Sequence, residues 1–139
     1  MKRWIVTAIC VLTLSTLIIG CSSIETDTLI QGNELAYVQE KLELGMGKAE
    51  VKEQFGRSFT SVDNMVEGSE VWRFDYVIDK AYTVSTKASE AGVRYDRSGF
   101  LSNKLSSQLF VYWTKDQLVK DAVVYFMSDG EIHEYRLSR

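Results

Sequence analysis

Few side chains in this sequence have the types and spacing that chemistry requires. The chain contains two cysteines, Cys10 and Cys21, and a single histidine, His133. It has no HExxH, CxxC or glycine-rich phosphate motif, so zinc, dithiol and nucleotide sites lack their ligands. Ser98 lacks the preceding glycine of a nucleophile elbow. We interpret His133 as a structural or surface residue and predict no catalytic residue, cofactor or metal.

Paired carboxylates are the remaining arrangement that could supply an acid and a base. Glu50 with Glu53, and Asp63 with Glu67, are the pairs to consider for glycoside hydrolysis. The charged faces of a helix and a turn explain both pairs more simply. The sequence therefore predicts a protein that is not an enzyme.

The most informative side chain is Cys21, because of what precedes it. Met1–Arg3 is a short basic start, Trp4–Ile19 contains no charged residue, and the small residue Gly20 stands just before the cysteine. This order is typical of a secretory leader. It also resembles the bacterial lipobox, in which the leader is cut before a cysteine that carries lipid. We expect residues 1–20 to be a lipoprotein signal peptide and Cys21 to be lipidated, with acyl chains such as palmitate.

Two other interpretations of this stretch are weaker. An uncleaved membrane anchor needs roughly 20 apolar residues, and this run falls slightly short. A disulfide of Cys21 could form only with Cys10, which would be removed with the leader. In an oxidising compartment the remaining thiol is free or capped, and lipidation is the cap that the context favours.

Two or more acyl chains make membrane attachment stable. Ser22 follows the cysteine, and by resemblance to bacterial lipoproteins this implies the outer membrane, facing the periplasm. In a single-membrane organism it would imply the outer leaflet of the cell membrane. The formal charge of −3 becomes more negative when the leader's basic residues are lost, which does not suit a nucleic-acid partner. No small-molecule substrate is identified.

The chain after the leader is long enough for one domain with a single core. It contains no proline and no repeat. We interpret residues 21–32 as a flexible lipidated tether and residues 33–139 as an α+β domain. Asn33 is a good N-cap for a first helix that extends to Leu44. Gly47 caps a second helix that ends at Gly56, which predicts a two-helix hairpin.

After a polar turn region, residues 58–69, the apolar pattern changes to alternation. Trp72, Phe74 and Tyr76 alternate with charged residues, which is typical of a strand in a sheet covered on one side. Strands are predicted at Val71–Ile78, Leu109–Thr114, Leu118–Met127 and Glu131–Leu137. We expect a three- to four-stranded antiparallel sheet with the helical hairpin packed on one face. Trp72, Phe74, Tyr76, Trp113 and Phe126 are predicted core residues.

The segment Asp79–Leu105 is too long for a hairpin loop and mixes basic with aromatic residues. One interpretation is a contact surface for lipid headgroups or a protein partner. The other is a solvated loop with a short helix around Lys87–Ala91. Phe110, Tyr112 and Tyr125 are predicted on the sheet face opposite the helices, where joint exposure would mark a partner site. The candidate contact residues are Arg94, Tyr95, Arg97, Phe110 and Tyr112.

The hairpin sequence Leu42–Gly56 (LELGMGKAEVKEQFG) resembles the SmpA/OmlA (BamE-like) family of bacterial lipoproteins. The shared features are a Gly-Met turn, a capped helix and a terminal aromatic or aliphatic residue followed by glycine. This chain departs from the family in having Gly47 at the cap and no proline after the second helix. The resemblance implies two helices on one antiparallel sheet. The β-lactamase-inhibitor type of module has a similar architecture and is also protein-binding.

Together these features predict a non-catalytic envelope lipoprotein with a small protein-binding domain. By the family resemblance it would be an accessory to outer-membrane protein assembly or envelope integrity. The alternative is a lipid- or ligand-binding, or inhibitor-type, periplasmic module. Fold alone does not decide between these functions.

Overall fold

The computed structural model describes residues 34–65, 67–85 and 93–137. The helices and strands in these residues are α1 (Glu34–Lys41), α2 (Lys48–Phe55), β1 (Thr60–Asn64), β2 (Ser69–Val77), α3 (Arg97–Leu101), β3 (Leu105–Trp113), β4 (Val119–Ser128) and β5 (Glu131–Leu137). The predicted leader, the tether with Cys21, the cap Asn33 and the helix around Lys87–Ala91 lie outside the described residues. No described helix is long and apolar enough to cross a membrane.

The strands form one antiparallel sheet in the order β1-β2-β3-β4-β5. The predicted α+β class and antiparallel sheet are confirmed, but the prediction of three to four strands is wrong, because the sheet has five. The additional strand is β1, which pairs with β2 from Thr60 opposite Arg73 to Asn64 opposite Ser69. Val62 is its only apolar residue. An edge strand can be this polar because one of its sides has no neighbouring strand.

Strand β3 begins at Leu105, earlier than the predicted Leu109. Ser106 and Ser107 hide this start from the apolar pattern, yet Ser107 pairs with Tyr76 on one side and with Phe126 on the other. The other predicted strands agree with β2, β4 and β5 to within two residues at each end.

One side of the sheet, which we call the Trp72 face, carries the main apolar cluster. Trp72 stacks on Phe59 at 3.9 Å between ring centroids and meets Trp113 edge to face at 4.7 Å. The same cluster includes Val38, Leu42 and Val51 from the helical region. Its sheet members are Trp72, Phe74, Leu109, Val111, Trp113, Val119, Ala122 and Val124, with Tyr76 and Phe126 partly buried against them. The predicted core aromatic residues are therefore confirmed.

The turn between α1 and α2 is hydrogen-bonded to the start of β4. The Gly45 N–H donates to the Val119 carbonyl, and the Val119 N–H donates to the Met46 carbonyl, each at 2.8 Å. Gly45 has a φ of +87°, which glycine adopts without strain. Gly47 precedes α2 as predicted, and its N–H donates to the Glu50 carboxylate at 2.7 Å. Helix α1 ends at Lys41, before the predicted Leu44.

Candidate functional site

The opposite side of the sheet, which we call the second face, is formed by the alternate residues of the strands. Cross-strand pairing places Arg73 beside Phe110, Phe110 beside Val123, and Val123 beside Arg136. The next row across the sheet is Asp75, Gln108, Tyr125 and Glu134. The expectation of a sheet covered on one side only is wrong, because Arg73 is 4% exposed and Gln108 is fully buried.

A polar network holds the β2–β3 connection, which is the part of the chain between Val77 and Leu105, against the second face. Arg73 donates to Asp75 Oδ2 from Nε at 3.0 Å and from Nη2 at 2.7 Å. Gln108 Nε2 donates to Asp75 Oδ1 at 2.6 Å, and Gln108 Oε1 accepts from the Asp96 N–H at 2.7 Å. The buried sheet residues are therefore hydrogen-bonded directly to the backbone of the connection.

Asp96 is the residue of the connection on which this network converges. Its carboxylate accepts from the Tyr82 hydroxyl at 2.6 Å, from the Ser85 N–H at 3.1 Å and from the Gly99 N–H at 3.0 Å. The last of these bonds caps α3, for which Asp96 is the N-cap. Burial alone would raise the pKa of Asp96, but these hydrogen bonds, with the Arg73 charge nearby, lower it. Asp96 is thus held ionised while it is buried.

Helix α3 lies close to the start of β3 because Gly99 has no side chain. A Cβ at this position would stand 2.6 Å from Leu105 Cδ1 and 3.0 Å from the Tyr82 ring. The glycine therefore permits the close approach of α3 to the sheet.

An aromatic cluster adjoins the polar network. Tyr95 stacks on Tyr125 at 4.4 Å and meets Phe100 edge to face at 6.0 Å. Phe110 contacts Tyr125 edge to face at 5.8 Å. The β2–β3 connection therefore contributes Tyr95 and Phe100 to this cluster, and strands β3 and β4 contribute Phe110 and Tyr125.

Beyond this cluster the second face carries half-buried tyrosines beside charged residues. Burial, together with the neighbouring Glu134 carboxylate, raises the pKa of Tyr125 to about 12. Arg136 forms an ion pair with Asp121 and lies 3.6 Å from Glu134, between Nε and Oε1. Tyr112 pairs with Asp121 across β3 and β4, and burial raises the pKa of Tyr112. We call Tyr95, Tyr112, Tyr125, Glu134 and Arg136 the tyrosine face.

The predicted contact residues differ in their exposure and in the part of the structure where they lie. Tyr95 and Phe110 come together through Tyr125, but Phe110 is only 1% exposed and presents almost no surface. Tyr112 is half-buried on the tyrosine face. Arg94 and Arg97 are exposed on the connection. Cys21 lies outside the described residues.

Sequence reasoning missed the charged part of the tyrosine face. Glu134 and Arg136 alternate with His133 and Tyr135, so their shared face could be predicted from β5 alone. Their position beside Tyr125 and Val123 depends on the β4–β5 register. The Ser128-Asp129-Gly130 turn is the signal that could have located this register.

The described residues include no candidate metal site. Within the described ranges, no group of three or more His, Cys, Asp or Glu side chains could hold a metal ion. His133 is exposed, lies 3.2 Å from the Ser128 carbonyl through Nε2, and stacks on Phe126 at 5.7 Å. These contacts agree with its interpretation as a surface histidine.

Known proteins offer no further guide to the site. Comparison of the chain with protein-family models, with curated proteins and with solved structures finds no match. The resemblance of Leu42–Gly56 to the SmpA/OmlA family therefore stays a prediction.

Proposed function

We propose that the chain is a non-catalytic envelope lipoprotein, anchored through Cys21, whose domain binds a protein partner through the tyrosine face. The observation that carries the partner proposal is that Tyr112 and Tyr125, both part-buried, and the exposed Arg136 lie on the same face of a regular sheet. Tyrosine and arginine are enriched among the residues that dominate binding energy at protein interfaces.

The tyrosine face has few degrees of freedom to lose on binding. Tyr125 is held between Tyr95 and Phe110, and Arg136 is held by Asp121. Ordering a rotamer-rich side chain at an interface costs about 0.5–1.5 kcal/mol, so preformed positions favour binding. The opposite charges of Arg136 and Glu134 favour one orientation of the partner, because the partner's charges must complement both.

The lipid anchor would strengthen such an interaction without further contacts. Confinement to one membrane raises the effective concentration of the domain near other membrane components. We propose that the helical hairpin packs on the Trp72 face and leaves the tyrosine face toward partners. The resemblance of Leu42–Gly56 supports a role as an accessory to outer-membrane protein assembly or envelope integrity. The proposed location is the outer membrane, facing the periplasm, or the outer leaflet of a single membrane.

A second candidate function rests on the exposure of Arg94 and Arg97. Both guanidinium-bearing residues are exposed and lie within two residues of Tyr95, which is part of the tyrosine face. The guanidinium group of arginine suits an anionic headgroup or another anionic ligand. The alternative is therefore a lipid- or ligand-binding module that uses this part of the connection.

Site-specific photo-crosslinking in intact envelopes tests the first candidate. A photoreactive phenylalanine placed at Tyr112 should yield one discrete crosslinked protein, because its ring would lie at the interface. The same probe at Lys115, an exposed residue of the β3–β4 turn, is the matched control and should yield none. Crosslinking at Lys115 but not at Tyr112 would show that the partner binds elsewhere.

Neutralising the two arginines separates the candidates. The double variant Arg94→Gln, Arg97→Gln should leave the Tyr112 crosslink unchanged if the partner is a protein bound on the sheet. If Tyr112 yields no crosslinked protein, and vesicle binding by the native chain rises with anionic lipid and is lost in the double variant, the second candidate is favoured.

A further inference from the structure

The large apolar side chains that remain exposed in the described residues lie at two ends of the sheet. Val77, Ile78 and Leu101 are at one end, and Met65 and Leu118 are at the other. Ile78 lies beside the segment that joins α3 to β3, because its N–H donates to the Lys104 carbonyl at 2.9 Å.

The chain that follows the proposed anchor enters the described domain at the first of these ends. Glu34, the first described residue, lines a cleft of about 330 Å³ with Ile78 and Asn103. Its carboxylate accepts from the Ser106 hydroxyl at 2.9 Å, and that hydroxyl lies 3.1 Å from the Tyr76 carbonyl. The start of α1 is therefore fixed at the end of β2. We call Glu34, Val77, Ile78 and Leu101 the tether end.

The length of the chain before Glu34 decides which end lies nearer a bilayer. Residues 22–33 separate Cys21 from Glu34. If the predicted tether behaves as a random coil, a segment of this length spans on the order of 20 Å. Strand β2 has 9 residues between the two ends, which at about 3.3 Å each corresponds to about 30 Å. Lipid on Cys21 would hold the tether end near the membrane and would leave Met65 a strand length away.

We infer that the tether end rests on the lipid bilayer, with Ile78 and Leu101 in contact with the interfacial layer. This inference depends on the proposed lipid anchor. The contact is weak in isolation, because three part-exposed side chains bury little area, but the anchor raises the local lipid concentration so that modest contacts suffice.

Charges around the tether end indicate the kind of lipid surface. Lys80 and Arg97 are exposed on one side, and Asp129 and Glu131 are exposed on the other. With both signs present, attraction to anionic headgroups is offset, so apolar burial carries the contact. A zwitterionic bilayer of phosphatidylcholine is therefore sufficient. This distinguishes the tether end from the arginine-dependent binding of the second candidate function.

Spin labels on the processed full chain test this orientation. Leu101→Cys and Met65→Cys place the label at residues of similar exposure, 60% and 67%, at opposite ends of the sheet. Cys10 is lost with the leader and Cys21 carries lipid, so the new thiol is the only one free. In phosphatidylcholine vesicles, the label at residue 101 should be more accessible to oxygen than to a water-soluble nickel complex. The label at residue 65 should show the opposite preference.

The outcomes separate this inference from the anchor beneath it. A chain that floats with vesicles but shows both labels in water would overturn the inference alone. A chain that does not float, with an unmodified Cys21 by mass spectrometry, would refute the anchor as well. The reverse preference, with residue 65 in lipid, would place the opposite end on the membrane.

Discussion

The two faces of the sheet are covered in different ways. On the Trp72 face, Phe59, Trp72 and Trp113 contact one another and join an apolar cluster. On the second face, the connection between β2 and β3 is held by hydrogen bonds that run from Arg73 to Asp96. The first cover depends on burial of apolar area. The second combines an aromatic cluster with a buried polar network, in which the direction of each hydrogen bond matters.

This difference predicts how the stability of each face responds to substitution of its side chains. Apolar burial is non-directional, so loss of one side chain mainly removes contacts and buried area. A buried polar network is stable only while every member has its partner, because an unpaired buried donor carries a desolvation cost. Changes on the Trp72 face should lower global stability, and changes in the polar network should first release the connection.

The largest expected effect is that of Trp72→Ala. The indole stacks on Phe59, contacts Trp113, and donates from Nε1 to Glu70 at 2.8 Å, with Lys48 and Lys52 each 5.2 Å from its ring centroid. Truncation of a buried aromatic residue costs about 3–5 kcal/mol. We expect the free energy of unfolding, measured by urea denaturation, to fall by this amount in one cooperative transition.

Leu118→Ala is the control for this measurement. Leu118 is 41% exposed, so its truncation should change stability by less than about 0.5 kcal/mol. A loss from Trp72→Ala no larger than that of the control would mean that the Trp72 cluster does not carry the stability of the domain.

The intermediate effect is that of Asp96→Asn. A side-chain amide has one acceptor oxygen, so it cannot accept from the Gly99 N–H on one side and from the Tyr82 hydroxyl and Ser85 N–H on the other. We expect a loss of about 1–3 kcal/mol. Hydrogen exchange should show the Ser85 and Gly99 amides losing protection before those of β3 and β4.

Asp129→Asn is the matched control for charge and shape. Asp129 is exposed in the β4–β5 turn with a φ of +54°, which asparagine also tolerates. It should leave exchange in the connection unchanged. Uniform loss of protection across β3, β4 and the connection in Asp96→Asn would show that the network is part of the global core and not a separate cover.

The contrast between the faces also explains what the sequence could predict. Alternation of Trp72, Phe74 and Tyr76 and the Gly47 cap are local patterns, and the structure confirms both. Strand β1 and the start of β3 were missed because polar residues dominate them and leave no apolar alternation. Pairing with neighbouring strands decides the conformation of both segments. The bond between Asp96 and Gln108 joins residues with no shared pattern, so only the folded geometry reveals it. The same holds for Arg136 beside Asp121.

The smallest expected effect is the pH dependence of the polar network. The pKa of Asp96 is lowered in the folded chain relative to about 3.9 for an unfolded aspartate. The unfolded state therefore takes up the proton first as pH falls. The stability that the ionised Asp96 contributes is fully present above about pH 4 and is lost as pH falls through the lower, folded value.

Comparison of the native chain with Asp96→Asn isolates this contribution. The gap between their free energies of unfolding should be constant from pH 7 to about pH 5 and should narrow below pH 4. Glu70, which accepts from Lys48, Ser61 and Trp72 beside the other face, also has a lowered pKa, so both chains should still lose stability in acid. A gap that stays constant through this range would mean that Asp96 is not held ionised by its hydrogen bonds. The connection would then be held by shape, and the two faces of the sheet would differ less than their contacts indicate.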